Sequence, residues 1–138
     1  MTETVAVVVV TYNRADLLER MLDGLAGQQH RPDRVIVVDN ASSDHTAEVL
    51  RRRADLPLQV ITSRENVGGA GGFHLGVRTA YDAGFDRIWL MDDDVVPAPD
   101  CLAVLMAQDH DCLMAVREDL TGAMVEKSAI HFDLASPW

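Results

Sequence analysis

The chain has 138 residues, of which 48% are apolar and 25% are charged. This balance is typical of one globular domain with an apolar core, and it excludes a disordered or collagen-like chain. Because acidic residues outnumber basic ones and the net charge is −10, we expect no nucleic-acid partner. No apolar run approaches the roughly 20 residues that span a bilayer, and the N-terminus lacks the basic flank of a signal peptide. We therefore predict a cytosolic chain without a transmembrane segment.

Short apolar runs and segments with helical spacing alternate along the chain. Runs rich in β-branched residues are typical of buried parallel strands, and they predict strands at residues 5–10, 35–38, Leu58–Thr62 and 88–91. Helical spacing of apolar residues predicts helices at 16–28, 46–53, 73–84 and Cys101–Met106. Asn13 and Asp44 are the expected caps. After the last of these helices, strands are predicted at 113–116 and 125–130, with a hairpin turn at 119–122.

This alternation predicts an α/β fold in which a mostly parallel sheet carries helices on both faces, as a single domain over residues 1–138. Ligands of such sheets bind beyond the carboxyl ends of the strands. The unusual polar residues all directly follow predicted strands. They are Thr11-Tyr12-Asn13-Arg14, Asp39-Asn40, the segment 64–72 and Asp92-Asp93-Asp94. We expect these clusters to converge on one edge of the sheet.

Three adjacent carboxylates, Asp92, Asp93 and Asp94, end the fourth predicted strand. Because they repel one another, a cation or hydrogen-bond donors must compensate them. In an extended segment Asp92 and Asp94 point the same way, so both can bind one hard divalent ion, Mn²⁺ or Mg²⁺. The alternative is a solvated acidic turn, which is less expected directly after a buried strand.

A glycine-rich loop, residues 68–72, precedes the third predicted helix. Free N–H groups at a helix N-terminus favour phosphate, although no Lys-Ser/Thr pair of a P-loop follows. The alternative is a loop that needs small residues for close packing. Asp39 can accept hydrogen bonds from a base or ribose, and Arg14 can face a diphosphate. A turn or cap role is the alternative to a ligand contact for four of these residues, Asn13, Asp39, Asn40 and Asn66.

Four ordered motifs carry a resemblance to a known family. They are Val-Val-Val-Val-Thr-Tyr-Asn-Arg at 7–14, Val-Ile-Val-Val-Asp-Asn-Ala-Ser-Ser-Asp at 35–44, Arg-Glu-Asn-Val-Gly-Gly-Ala-Gly-Gly-Phe at 64–73 and Trp-Leu-Met-Asp-Asp-Asp at 89–94. In order and spacing they resemble the motifs of family 2 glycosyltransferases and the nucleotide-binding half of the GT-A fold. The glycine-rich segment with the triple aspartate is most similar to bacterial galactofuranosyl- and rhamnosyltransferases of cell-wall polysaccharides.

The resemblance implies a metal-dependent, inverting transfer of a sugar from a nucleotide-sugar donor, UDP-linked, to a cell-wall polysaccharide or lipid-linked glycan. It implies a peripheral position at the inner face of the membrane. It also implies site residues: Thr11, Tyr12, Asn13, Arg14 and Asp39 for the base, Asn66, Gly68 and Gly69 for the nucleotide and diphosphate, Asp92 and Asp93 for the nucleotide sugar, and Asp92 and Asp94 for Mn²⁺ or Mg²⁺.

The family's general base and later histidine ligand have no match in this sequence. Arg117-Glu118-Asp119 and His131 come too early to take those roles, so the catalytic residues are unknown. The resemblance therefore implies a donor-binding half without its acceptor half, in which an uncovered acceptor-side surface favours a homo-oligomer.

Two alternative functions remain open. One is a nucleotide-binding chain that transfers nothing. The other is a phosphatase of the haloacid dehalogenase type, since Asp92-x-Asp94 after a buried strand superficially fits its nucleophile and acid. That motif normally opens the fold on the first strand and needs a later lysine and acidic pair. Here only Lys127 follows, with too little chain behind it.

Overall fold

The computed structural model describes residues 2–123. It contains eight elements, which are β1 (Val5–Thr11), α1 (Ala15–Ala26), β2 (Arg34–Asp39), α2 (Thr46–Arg51), β3 (Leu58–Thr62), α3 (Gly68–Asp82), β4 (Arg87–Asp92) and α4 (Cys101–Met106). The predicted bounds of β3 and α4 are confirmed to the residue. Apart from α3, the other predicted bounds lie within two residues of the observed ones. The chain divides into two compact units, Met1–Val104 and Leu105–Trp138.

The first unit is built on a four-stranded sheet in the order β3-β2-β1-β4. Every strand pair is parallel, as predicted for short apolar strands joined by helices. Chain order runs outward from β1 through β2 to β3, and the sheet then continues on the other side of β1 with β4. The carboxyl ends of β1 and β4 therefore flank a topological switch point, where ligands of open α/β sheets bind.

Two apolar clusters cover the two faces of this sheet. One joins α1 and α2 to alternate strand residues that include Val7, Val9, Val35 and Val37. The other joins α3 to the intervening residues Ala6, Val8, Ile36 and Val38. Because successive strand residues point to opposite faces, the apolar runs of β1 and β2 supply both clusters. The predicted fold class, with helices on both faces, is confirmed.

Helix α3 begins earlier than the sequence predicts. Residues 68–72 are its first turn rather than a loop, so the predicted glycine-rich loop is wrong in extent. Gly68 has φ +75°, a conformation that favours glycine, and it opens the helix. A Cβ atom on Gly72 would lie 2.6 Å from Val10, and one on Gly76 would lie 2.3 Å from Val8. These two glycines let the helix approach β1 closely, which outweighs their low helix propensity.

The second unit contains a turn in its described part. The turn predicted at 119–122 is confirmed, since the Asp119 carboxylate accepts hydrogen bonds from Thr121 and the Ala123 amide, and Gly122 has φ +82°. The strand predicted at 113–116 is wrong, because these residues join no ladder among the residues described. The strand predicted at 125–130 lies outside the described residues. Within residues 2–123, no helix combines the length and apolarity needed to cross a membrane.

Candidate functional site

The predicted polar residues meet at the carboxyl edge of the sheet. Thr11 is in register with Asp39 on β2, and Val10 is in register with Asp92 on β4. The candidates differ in exposure. Thr11, Asp39 and Asp93 are buried, whereas Tyr12, Asn13, Arg14, Asn66, Gly68, Gly69, Asp92 and Asp94 are exposed. The edge therefore presents eight candidates to solvent above three buried ones.

A hydrogen-bonded network joins the ends of β1 and β4. The Thr11 hydroxyl donates to Asp93 Oδ2 over 2.8 Å, and both side chains are buried. Arg14 Nη1 donates to Asp93 Oδ1 at 3.3 Å and to Asp94 Oδ2 at 3.4 Å. Both oxygens of Asp93 thus have protein partners, which compensate its buried charge. This carboxylate fixes the β1–α1 turn against the end of β4.

The flanking carboxylates Asp92 and Asp94 point away from the core. Both are exposed while Asp93 between them is buried, as predicted for alternating side chains at a strand end. Two carboxylates facing solvent offer the oxygen donors that Mn²⁺ and Mg²⁺ prefer, so this pair fits such an ion in ligand type. In the described part of the chain, no three His, Cys, Asp or Glu side chains gather around one point. Further ligands would have to come from a substrate or from water.

Asn13 joins the β1–α1 turn to the β2–α2 turn. It has φ +49°, and its Oδ1 accepts hydrogen bonds from the Ser43 amide at 2.7 Å and the Asp44 amide at 3.3 Å. Its own amide donates to the Ser42 hydroxyl at 2.9 Å. The predicted cap role of Asn13 is wrong, because its side chain binds the neighbouring turn rather than the first turn of α1.

Asp44 caps two helices at once. Its Oδ2 accepts from the Ala15 amide of α1, and its Oδ1 accepts from the amide and hydroxyl of Thr46 in α2. Burial acts to raise the pKa of Asp44, but these hydrogen bonds outweigh it and hold the pKa below the usual 3.8. The predicted cap of α2 is confirmed, and the second bond to α1 was not predicted. Asp44 and Asn13 together align the two turns.

Asp39 and Asn40 end β2 beneath the start of α3. The Asp39 Oδ1 accepts a hydrogen bond from the Ser42 amide, which is the turn role considered for it. Asn40 donates from its backbone amide to Thr11 O and from Nδ2 to Gly68 O, both at 2.9 Å. Its Oδ1 is buried and has no partner among the described residues. Asn40 thus connects β1 to the N-terminus of α3.

The N-terminus of α3 is open toward solvent. Asn66 Oδ1 accepts a hydrogen bond from the Gly68 amide at 2.9 Å, so Asn66 caps this helix in the structure. Apart from the adjoining residues and the backbone of the helix itself, no atom lies within 4 Å of the position a Cβ would take on Gly68 or Gly69. The predicted position of these glycines at a helix N-terminus is confirmed, and the space beside them is free.

Two residues that hold the segment after Asp94 were missed in the sequence. Gln28 is buried, donates to the carbonyl of Ala98 at 2.7 Å and accepts from the Leu102 amide at 3.0 Å. A Cβ on Gly24 would lie 2.8 Å from Pro97, so this glycine lets the segment after Asp94 pack on α1. The glycine inside a predicted helix was the available signal. Gln28 carried no signal, because nothing local distinguishes it from a surface glutamine.

Comparison with known proteins gives a consistent result. The sequence model described as Glycosyl transferase family 2 matches residues 6–114. The galactofuranosyltransferase GlfT1 of Mycolicibacterium smegmatis is 45% identical over 97 residues, which are 70% of this chain and 32% of that protein. The structure of the mannosyltransferase PcManGT from Pyrobaculum calidifontis, in complex with GDP-Man and Mn²⁺, has a TM-score of 0.66 at 34% identity, covering 75% of this chain and 31% of that one. S. aureus TarS 1–349 in complex with UDP has a TM-score of 0.68 at 27% identity, again covering 75% and 31%.

The chain spans about a third of the length of these relatives. The matched region contains the four strands and their polar ends. The predicted resemblance to galactofuranosyltransferases is confirmed. The family match covers well over half of the chain and the fold agrees with it, so this chain belongs to glycosyl transferase family 2.

Proposed function

We propose that this chain forms the donor-binding part of a metal-dependent, inverting glycosyltransferase that uses a UDP-linked sugar. The observation that carries the proposal is the pair of exposed carboxylates, Asp92 and Asp94, at the switch point between β1 and β4. A diphosphate cannot bind directly on carboxylates in a protein of charge −10, because the charges repel. Mn²⁺ or Mg²⁺ between them, held by Asp92 and Asp94, would remove this repulsion and neutralise charge on the leaving nucleoside diphosphate.

The remaining contacts follow from the positions of the other site residues. Tyr12 and Asn13 flank the base beside Asp39, while Thr11 acts through its bond to Asp93. On the other side, Gly68 and Gly69 offer the amides and open space of the α3 N-terminus to the diphosphate. Asn66 orients that N-terminus through the Gly68 amide. These roles combine what the resemblance implies with the contacts that the side chains make in this fold.

Asp93 has a different role from the one first predicted for it. Since its two oxygens bind Thr11 and Arg14, it positions the β1–α1 turn rather than contacting the nucleotide sugar. The acceptor, a cell-wall polysaccharide or lipid-linked glycan, is proposed from the similarity to a galactofuranosyltransferase. A peripheral position of the chain at the inner face of a membrane and its assembly into a homo-oligomer remain predictions.

A calorimetric titration of UDP, with and without Mn²⁺, tests the donor site. We expect binding that needs Mn²⁺ and prefers UDP over dTDP and GDP. Replacing Asp94 by Asn keeps the side chain's size and removes one anionic ligand, so Asp94→Asn should abolish the Mn²⁺-dependent part of binding. Asp82→Asn is the matched control, because Asp82 is an exposed aspartate on α3 that pairs with Arg78.

Two results would contradict the proposal. Equal UDP affinity with and without Mn²⁺ would remove the metal from the donor site. Equal loss in Asp94→Asn and Asp82→Asn would show a general charge effect rather than a ligand. Transfer is a separate question: binding of UDP without release of UDP from a UDP-sugar in the presence of acceptor would favour the non-catalytic alternative for this chain.

A further inference from the structure

Arg14 binds two neighbouring carboxylates, Asp93 and Asp94, through a single nitrogen. Its Nη1 lies 3.3 Å from Asp93 and 3.4 Å from Asp94, and these distances exceed the 2.7–2.9 Å or so of strong charge-assisted bonds. Among the described residues, no hydrogen bond from its Nε or Nη2 is found. The Arg14 side chain is 52% exposed. The guanidinium is therefore held loosely and retains donors that face solvent.

The charges of the two carboxylates that share Arg14, Asp93 and Asp94, depend on it to different degrees. Asp93 has a side chain only 7% exposed, so its charge requires a permanent partner inside the protein. Asp94 is 45% exposed and is solvated without Arg14. Arg14 can therefore leave Asp94 at small cost while it stays with Asp93. Of the three aspartates, Asp94 is the one whose protein partner is exchangeable.

We propose that Arg14, which stays bound to Asp93, competes with the divalent metal for Asp94 and exchanges Asp94 for the diphosphate when the metal-bound donor arrives. This inference rests on the proposed function, since it takes Asp94 as a metal ligand. A cation bound at Asp94 lies within a few ångströms of the guanidinium and is repelled by it. A diphosphate at the same place attracts the guanidinium, whose planar fork suits phosphate oxygens.

The exchange gives Arg14 opposite effects on two affinities. It weakens binding of the metal alone, because one positive charge already occupies the site. It strengthens binding of the nucleoside diphosphate with its metal, because the released guanidinium gains phosphate oxygens. Metal and donor therefore bind with positive cooperativity, and the site discriminates against free metal. A residue that only stabilises the β1–α1 turn would weaken both kinds of binding together.

The test measures Mn²⁺ alone and then UDP with Mn²⁺ on the same variants. Free Mn²⁺ is followed by electron paramagnetic resonance in the absence of nucleotide, and UDP by calorimetry at saturating Mn²⁺. For Arg14→Gln we expect Mn²⁺ to bind about thirtyfold more tightly, the factor that corresponds to removing the repulsion between a unit positive charge and a divalent ion about 4 Å apart in water. UDP should bind about tenfold more weakly, as for loss of one hydrogen bond to a charged group.

Two further variants separate charge from structure. Arg14→Lys keeps the charge, so its affinity for Mn²⁺ alone should stay near that of the unaltered chain. Arg78→Gln removes an exposed arginine on α3 and changes the net charge equally, so it should alter neither affinity. Circular dichroism confirms that each variant is folded.

Each outcome bears on the proposal in one direction. Unchanged or weaker Mn²⁺ binding in Arg14→Gln, with the unaltered chain binding UDP and Mn²⁺, overturns the exchange and leaves the proposed function standing. Equal tightening in Arg14→Gln and Arg14→Lys also overturns it, because charge would then not be the cause. If neither the unaltered chain nor Arg14→Gln binds Mn²⁺ or UDP, both proposals fail. Tighter Mn²⁺ binding with weaker UDP binding in Arg14→Gln alone supports the exchange.

Discussion

The two faces of the sheet are packed in opposite ways. On the face of α1 and α2, large side chains such as Leu18, Leu22 and Leu25 fill the space above the strands. On the opposite face, α3 packs through Gly72, Gly76 and Ala80. Large side chains bury more apolar area, whereas small ones bring the helix backbone closer to the strands. The first face therefore supplies most of the stability, and the second places the N-terminus of α3 beside the ends of β1 and β2.

The largest effect is expected on the face with large side chains. Leu22 is fully buried, so Leu22→Ala should lower the free energy of unfolding by about 2–5 kcal/mol through lost burial and a cavity. Leu17 is on the same helix and is 39% exposed, so Leu17→Ala should cost about 1 kcal/mol or less. Urea unfolding followed by circular dichroism measures both. Similar losses in the two variants would show that this face does not dominate stability.

The next largest effect is expected on the face with small residues, where adding an atom is harmful. In Gly76→Ala the new Cβ would lie 2.3 Å from Val8 Cγ1, and Val8 is fully buried and stiff at χ1. We expect the free energy of unfolding to fall by about 1–3 kcal/mol, although alanine is the better helix former. The same urea experiment measures it. A stabilised Gly76→Ala would mean that α3 does not need its close approach to β1.

The contrast between the faces also explains what the sequence could predict. The β-branched runs of β1 and β2 are apolar on both sides, so their burial and the sheet class are local information. The spacing of Leu18, Leu22 and Leu25 likewise reveals α1. The convergence of Thr11, Asp39 and Asp92 then follows from the parallel order of the strands. These features depend on patterns within a few residues of one another.

Features that depend on tertiary approach were not predictable in the same way. The start of α3 was misplaced because a run of glycines disfavours a helix locally, while Gly72 and Gly76 serve contacts with Val10 and Val8. The sequence predicts Asn13 as a cap because the amides that donate to its Oδ1, those of Ser43 and Asp44, lie in another turn. The strand predicted at 113–116 has a suitable composition, but a strand also needs a neighbour, and composition does not supply one.

A smaller effect is expected where the turns on the α1 and α2 face are joined. Asp44→Ala removes caps from both helices and should cost about 1 kcal/mol per cap or less at neutral pH. Because the pKa of Asp44 is lower in the folded state than its usual 3.8, its stabilisation is complete above that value and is lost as the pH falls through the folded-state pKa. Thermal unfolding from pH 7 to pH 2 measures the difference between the chain and Asp44→Ala.

The control for this pH dependence is Glu19→Ala, which removes an exposed carboxylate from α1, one of the two helices that Asp44 caps. Its free energy of unfolding at neutral pH should differ little from that of the unaltered chain. If the difference in stability between Asp44→Ala and the unaltered chain is as large at pH 2 as at pH 7, the negative charge of the carboxylate is not the cause of the capping.

The smallest effect on stability is expected at Gly69, on the same helix as Gly76. A Cβ there meets no atom within 4 Å, and its φ is not positive, so Gly69→Ala should leave stability unchanged or raise it by up to about 1 kcal/mol. The free space beside Gly69 is, however, where the proposed diphosphate approaches the helix amides. The new methyl group should therefore weaken binding of UDP with Mn²⁺, while Gly27→Ala, at the far end of α1, should not. Calorimetry and urea unfolding on the same samples separate the two effects. Unchanged UDP affinity in Gly69→Ala would show that the diphosphate does not bind beside the N-terminus of α3. A loss of stability would show that this N-terminus is packed more tightly than its open surface indicates.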